Sequence, residues 1–374
     1  MCRREPLRVL QCVNIMNRAG LENMLMNYYR AMDREVIQFD FLTHRADRGA
    51  FDDEIEHLGG RIYHMPRLYP QNYPCYFRRM GEFFQDHPYR IVHSHIDSMS
   101  YFPLSAAKRA GVENRIAHSH NSSVELNLKF PIKELARFGL RRVANWYFAC
   151  GEEAGEYLFG KRLWSSNAAR VIKNAVDSDK FTYDDEVRRS VREEYGFGRD
   201  TLVVGHVGRF EKVKNHRFLI DVFSRVCSMN ADSRLLLVGD GPLRKEIEDQ
   251  VWSAGLEGRV TFAGLRSDVD RLMNGMDVFM LPSQFEGLPV TVVEARCSGL
   301  PVLLSSCLPS DVVQLEGVES MSLKASTDMW ARRVIELAAV ANRSDAEKKF
   351  LSKSGYGIKE NCEILQSIYL RMIA

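Results

Sequence analysis

The chain has 374 residues, 45% apolar and 27% charged, with a formal net charge of +2. That length is comfortable for two domains with large cores that need no disulfides. Near neutrality gives no case for a nucleic-acid partner. No window approaches the ~18 apolar residues of a membrane span. The eight cysteines are scattered without a C-x-x-C pair, which reads as free thiols of a reducing compartment rather than a disulfide or zinc framework. The first residues lack the long apolar core of a secretory signal, so the expectation is a cytoplasmic protein whose membrane contact, if any, is peripheral at the inner face.

In chain order, Leu7–Val13 predicts a strand, the stretch Asn17-Arg-Ala-Gly-Leu-Glu22 a loop, and Glu22–Met32 a helix. Further strands are expected at Phe39–Leu42, Ile91–Val92 and Arg115–Ala117, with a helix over Ser100–Ala110. The second half is more regular. Strands are predicted at Leu202–Val207, Arg234–Val238, Val260–Phe262, Val278–Leu281 and Pro301–Leu304. Helices are predicted between them at Lys214–Cys227, Pro242–Ala254 and Pro289–Ser298. Strand and helix alternating at this pitch mean a parallel sheet covered on both faces. The alternation runs twice, with a break near Ile172-Lys-Asn-Ala-Val-Asp177. The expected architecture is α/β, with two doubly wound domains over residues 1–177 and 178–355 and a ligand cleft beyond the carboxyl ends of the strands.

Three loops of the second domain carry chemistry. In Gly205-His-Val-Gly-Arg-Phe-Glu-Lys-Val-Lys214, the bare Gly208 lets a phosphate approach the backbone, and Arg209 and Lys214 supply two cations. Taken alone, this loop is better read as a turn glycine followed by solvated charges. Leu237-Val-Gly-Asp-Gly-Pro242 is a tight strand-to-helix turn, chiefly structural. In Ser283-Gln-Phe-Glu-Gly-Leu-Pro-Val-Thr-Val-Val-Glu294, Pro289 suits the first helical position and Gly299 the stop. The helix start favours a phosphate. Glu286 then precedes it and Glu294 lies about 7–8 Å along the axis, so one carboxylate can sit beside each substituent of a bound diphosphate. A cap-region acid and a surface acid are the structural alternative.

In this order and spacing, Gly-Arg-x4-Lys, Val-Gly-Asp-Gly-Pro and Glu-Gly-Leu-Pro-x4-Glu resemble the C-terminal domain of retaining GT-B glycosyltransferases. The similarity is to the "group 1" family, also called family 4, and to its exopolysaccharide and capsule enzymes. Tyr89-Arg-Ile-Val-His-Ser-His95, Arg115-Ile-Ala-His-Ser-His-Asn121 and Gly151-Glu-Glu-Ala-Gly-Glu-Tyr-Leu-Phe-Gly160 look like that group's first domain. Residues 356–374 look like the helix that returns to it. The resemblance implies two Rossmann-like domains facing a cleft and a sugar moved, with retention of anomeric configuration, from a nucleotide donor. The resemblance implies a UDP-linked donor, and as acceptor a hydroxyl of a surface-polysaccharide or lipid-linked glycan. By the same resemblance Arg209 and Lys214 grip the diphosphate beside Gly208, and Glu286 holds the donor sugar with the backbone of Gly287, Leu288, Pro289 and Val290. Glu294 binds the ribose, and Arg266 lies near the base. No protein nucleophile, cofactor or metal is implied.

The family's first loop usually reads Gly-Gly-Ala-Glu. Here Ala19 and Leu21 stand around Gly20, where side chains would crowd the donor phosphate or acceptor. That departure leaves open a catalytically weak or inactive nucleotide-sugar-binding protein. The family's cleft histidine matches His120, or His118 if the strand slips by one residue. Asp177-Ser-Asp179 and Asp268-Val-Asp270 spell D-x-D, yet neither follows a strand as a metal motif of the other glycosyltransferase fold would. A dinucleotide oxidoreductase is disfavoured because no G-x-G-x-x-G follows the first strand. Finally, Phe130–Trp146 mixes Lys133, Arg137, Arg141 and Arg142, preceded by Lys129, with apolar residues at helical spacing. It reads either as a helix on an anionic membrane surface or as a core helix with a solvated basic face.

Overall fold

The computed structural model describes residues 5–18, 20–121, 130–340 and 342–374. The chain divides into two compact units, the first running to Ala175 and resuming over Ile358–Ala374, the second comprising Val176–Gly357.

The first unit holds seven strands: β1 (Leu7–Val13), β2 (Ile37–Thr43), β3 (Ile62–His64), β4 (Ile91–Ser94), β5 (Asn114–Ser119), β6 (Trp146–Ala149) and β7 (Ala169–Val171). They form one parallel sheet in the order β3-β2-β1-β4-β5-β6-β7. Its central strands are buried on both faces, polar members such as Gln11, Asp40 and His93 included. The three-residue β3 and β7 carry too little apolar sequence to stand out as runs. Asp40, fully buried on β2, is held by Arg8, by the Arg61 amide and by the Tyr89 hydroxyl, so its charge is paired inside the fold. Helix Gly20–Ala31 packs on the C-terminal helix Ile358–Ile373, with Met24, Leu25, Tyr28 and Tyr29 sharing one core with Ile358, Cys362, Leu365 and Tyr369.

The second unit holds six parallel strands: β8 (Leu202–Val207), β9 (Ser233–Val238), β10 (Val260–Gly264), β11 (Val278–Leu281), β12 (Val302–Ser305) and β13 (Val318–Met321). Their order is β10-β9-β8-β11-β12-β13. Several expected helices begin later than their apolar spacing suggests: the one expected from Ser100 starts at Tyr101, and the one expected from Pro242 at Arg244. The helix expected from Lys214 starts at His216, because Asn215 is left-handed with φ 57° and separates it from the 3₁₀ turn Lys212–Lys214. Pro289 is not the first helical residue: its backbone is extended and it caps helix Val290–Cys297. The charged stretch after the break forms helix Asp185–Glu194, opened by an Asp184 carboxylate that accepts from the amides of Glu186 and Val187.

In each sheet the strand order reverses beside the first strand, between β1 and β4 and between β8 and β11. Such reversals open a crevice at the carboxyl ends of the two strands, where ligands of open α/β sheets bind.

Candidate functional site

At the reversal of the second unit, the loop after β8 and the loop after β11 are tied together. The Gln284 amide donates to the Val213 carbonyl at 2.8 Å, and the Asn215 side-chain amide donates to the Pro282 carbonyl at 3.2 Å. The left-handed Asn215 therefore turns Lys214 toward the neighbouring loop. Lys214 Nζ lies 2.6 Å from Glu286 Oε1, with both side chains less than a fifth exposed. This is a close charge contact outside hydrogen-bond alignment, so Glu286 Oε1 keeps unused accepting capacity. Arg209 is exposed and pairs loosely with Glu211 at 3.1 Å.

The loop after β9 buttresses this arrangement from below. The Gly208 amide donates to the Val238 carbonyl at 2.9 Å, and the Phe210 amide to the Asp240 carbonyl at 3.1 Å. A Cβ on Gly239, whose φ is 133°, would collide with the Gly208 carbonyl, and one on Gly241 would meet the Phe210 backbone at 2.7 Å. Both glycines of Gly-Asp-Gly exist for that backbone-to-backbone approach. Gly208 itself is crowded by His206 Nε2, which an added Cβ would meet at 2.9 Å.

Helix Val290–Cys297 begins without a side-chain cap. The Val292 amide already donates to the Pro289 carbonyl at 3.0 Å, and the amides ahead of it, at the start of a helix, suit an anion. Gly287 is half-buried, while Leu288, Pro289 and Val290 are buried, so the helix start is anchored by packing. Glu294 is half-buried and its carboxylate makes no hydrogen bond or ion pair among the described residues. Burial pushes it up to about 7, with Lys180 opposing and Asp270 reinforcing that rise. Buried polar atoms without hydrogen-bond partners gather on and beside these loops: His206 Nε2, both ring nitrogens of His216, Ser283 Oγ and Thr291 Oγ1. Native interiors contain few such atoms, and these are left for a ligand or ordered water to satisfy. His206 Nδ1 faces the Met280 carbonyl at 2.9 Å and must carry the proton, so its free Nε2 is a lone pair and no anion donor.

Arg266, after β10, is forked onto Asp268 with two bonds of 2.8 Å. No hydrogen bond or ion pair joins it to the Lys214 or Glu286 loops among the described residues. The same fork occupies Asp268, and Lys180 lies 3.3 Å from Asp270, so cations of the chain itself stand beside both carboxylates of this D-x-D.

At the reversal of the first unit stands a cluster of histidines. His118 lies on β5 and is fully buried, whereas His120 follows the strand and is partly exposed. Asp97 pins that exit: its carboxylate accepts from the His120 amide at 2.9 Å and the Asn121 side chain at 2.7 Å. Asp97 holds φ 46°, a costly backbone for a residue other than glycine and a mark of functional positions. His93, His95, Gln11 and Tyr369 complete the cluster, and sequence reading missed all four as a group. The signal was available in His93-Ser-His95 and His118-Ser-His120, two strand ends with the same spacing on adjacent strands. Ring nitrogens of His93, His95 and His118 lie within 4.8 Å of one another, the one grouping with metal-ligand chemistry among the described residues. Ala19 lies outside the described residues. Leu21 packs against the core of the first unit, and a Cβ on Gly20 would meet nothing within 4 Å.

A family model described as Glycosyl transferases group 1 matches residues 201–339, and one described as Glycosyl transferase 4-like domain matches residues 19–172. The putative glycosyltransferase EpsF of Bacillus subtilis is 36% identical over 370 residues, covering 97% of this chain and 96% of its own. The UDP-Gal:alpha-D-GlcNAc-diphosphoundecaprenol alpha-1,3-galactosyltransferase of Escherichia coli is 24% identical over 303 residues, 76% of each chain. Among solved structures, Anabaena HepE in complex with UDP-glucose has a TM-score of 0.79 at 19% identity, covering 97% of this chain and 99% of its own, a likeness of fold.

Proposed function

This chain belongs to the group 1 glycosyltransferase family, and from that premise we propose that it moves a sugar from a UDP-linked donor to a hydroxyl of a surface-polysaccharide or lipid-linked glycan, with retention. The carrying observation is the Lys214–Glu286 pair at 2.6 Å beside an uncapped helix start. In the resting protein each charge shields the other. A diphosphate arriving at the helix start draws Lys214 Nζ onto its oxygens, and the freed Glu286 carboxylate accepts hydrogen bonds from the donor sugar. Arg209, exposed on the same loop, closes on the outer phosphate, and Glu294 receives the ribose hydroxyls. As the glycosidic bond breaks, the leaving nucleotide gains negative charge, which Lys214, Arg209 and the helix start stabilise without a metal. A nucleotide donor is supported by the names of the Escherichia coli relative, which takes UDP-Gal, and of the HepE complex with UDP-glucose. A glycan acceptor is supported by the former, whose acceptor carries diphosphoundecaprenol.

Helix Phe130–Val143 supports a peripheral membrane partner for such an acceptor. It packs through Ala136, Leu140 and Val143, while Leu135 is 75% and Phe138 58% exposed beside the basic residues. Its outer face is thus apolar and basic, not merely solvated charge.

The test is a thermal-shift and transfer series with purified protein. UDP and one or more UDP-sugars should raise the melting temperature, as ligands of the native state do. Glu286→Ala should keep UDP binding and lower transfer by about 10²-fold or more, with the product anomer read by NMR. UDP binding without turnover on any acceptor would instead establish a nucleotide-sugar-binding protein, and absence of any UDP stabilisation would remove the reading altogether.

A further inference from the structure

The histidine cluster of the first unit is wired in a way that fixes where its protons reside. Gln11 on β1 is register-paired with His93 on β4, so the two side chains leave neighbouring strands side by side. Two hydrogen-bonded chains depart from that glutamine. In one, Gln11 Nε2 faces Tyr369 Oη at 3.5 Å, Tyr369 Oη faces His93 Nδ1 at 2.7 Å, and His93 Nε2 faces His118 Nδ1 at 3.1 Å. In the other, Gln11 Oε1 faces His95 Nε2 at 2.8 Å, and His95 Nδ1 faces His120 Nε2 at 3.0 Å. The first chain ends at His118 Nε2, buried without a partner. The second ends at His120 Nδ1, which has no hydrogen-bond partner among the described residues and sits on the partly exposed ring at the end of β5.

Burial keeps these rings neutral, lowering His120 to about 3 and the other three well below the ordinary imidazole value. A neutral imidazole has one donor and one acceptor nitrogen, so each bond dictates the next. The Gln11 carbonyl can only accept, so His95 carries its proton on Nε2 and accepts at Nδ1 from His120 Nε2–H. The Gln11 amide can only donate, so Tyr369 accepts from it and sends its own proton to His93 Nδ1. His93 then donates from Nε2 to His118 Nδ1. All four rings are therefore Nε2–H tautomers. The exits have opposite polarity, a lone pair at His120 Nδ1 and an N–H at His118 Nε2. Turning the one amide of Gln11 over would reverse every bond and make all four rings Nδ1–H.

We infer that Gln11 is a positioning residue that sets the tautomer of the whole cluster, so that His120 Nδ1 presents a lone pair to a substrate hydroxyl. Tyr369 relays that setting to His93 and His118. The assignment of a hydroxyl to His120 rests on the glycosyltransfer proposed above, whereas the tautomers do not. A metal ion on His93, His95 and His118 is the competing use of the same nitrogens. It would need a His93 nitrogen that is already bonded to Tyr369 or to His118.

The experiment is long-range ¹H–¹⁵N correlation on histidine-labelled full-length protein, with metal analysis of the same sample. All four clustered rings should show the Nε2–H pattern without bound metal. In Tyr369→Phe, which keeps the ring packing, only His93 and His118 should lose the single tautomer. In Gln11→Met, His95 and His120 should lose it as well. Gln11→Met should also lower kcat between about ten- and a hundredfold with little change in donor KM, as misplacing a histidine proton does. Rings that are Nδ1–H or metal-bound in the unmodified protein, or tautomers indifferent to Gln11→Met, would overturn the inference. Tautomers that respond as stated in a protein without transfer activity would leave the wiring intact and strike only the proposed function.

Discussion

Glu286 and Glu294 differ in what surrounds them, not in chemistry. Glu286 is neutralised by Lys214 at 2.6 Å, while Glu294 has no cation bonded to it and is pushed up to about 7 by burial. A carboxylate whose folded value is raised contributes stability that is fully present below its unfolded value, near 4.5, and lost as pH rises through about 7. At pH 8 the protein therefore carries the desolvation of an ionised Glu294, on the order of 3 kcal/mol. Glu294→Gln should raise the melting temperature relative to the parent at pH 8, with the gain vanishing toward pH 5, and should weaken UDP binding at pH 8. Calorimetry at the two pH values and titration with UDP check both halves. A gain independent of pH would mean that ionisation is not its source. Stability given up at a site that gains it back from a ligand is the expected trade of functional residues.

At the scale of elements, the loops do the positioning. The Gly239–Gly241 turn holds the Gly208–Phe210 backbone by direct amide–carbonyl bonds, and Asn215 breaks what would otherwise be one helix so that Lys214 can face Glu286. Helix Phe130–Val143 is the element whose outer face has no evident use inside its own unit. Leu135 and Phe138 are exposed on it, and Arg137 is engaged by Glu134 at 2.8 Å and by the Tyr157 carbonyl at 2.9 Å. Membrane attachment should therefore depend on the apolar pair together with Lys133 and Arg142. In flotation assays the protein should rise with vesicles rich in anionic lipid and not with neutral ones. The double change Leu135→Ser and Phe138→Ser should abolish that, since burial of each side chain is worth about 1.5–3 kcal/mol. Flotation unchanged by the double substitution would assign the contact elsewhere.

For the molecule as a whole, the notable feature is that the first unit is closed by the last seventeen residues of the chain, Ile358–Ala374. Ile358, Cys362, Leu365 and Tyr369 lie in its core, and Tyr369 is bonded to His93. Deleting residues 358–374 removes several buried side chains, each worth about 2–5 kcal/mol, together comparable with the whole stability of a domain. The truncated chain should lose the melting transition of the first unit while retaining a transition that UDP stabilises. Two transitions as in the parent would refute this closure of the core by the chain's end.

Much of this was legible in the amino-acid sequence. Parallel strands buried on both faces leave apolar runs, so the longer strands of both sheets could be read directly, and small residues beside charges marked the Gly208–Lys214 and Glu286–Glu294 loops as candidates. The short strands β3, β6, β7 and β13 were not, because so few residues carry no distinguishing pattern. Tertiary structure alone decided the rest. Asn215's left-handed turn, the pairing of Lys214 with Glu286 and the union of Gln11, Tyr369 and the histidines of β4 and β5 join residues as many as 358 positions apart. Local sequence records which side chains are available. It does not record which strand ends meet at a reversal of strand order, and the proton positions at His118 and His120 follow from that meeting.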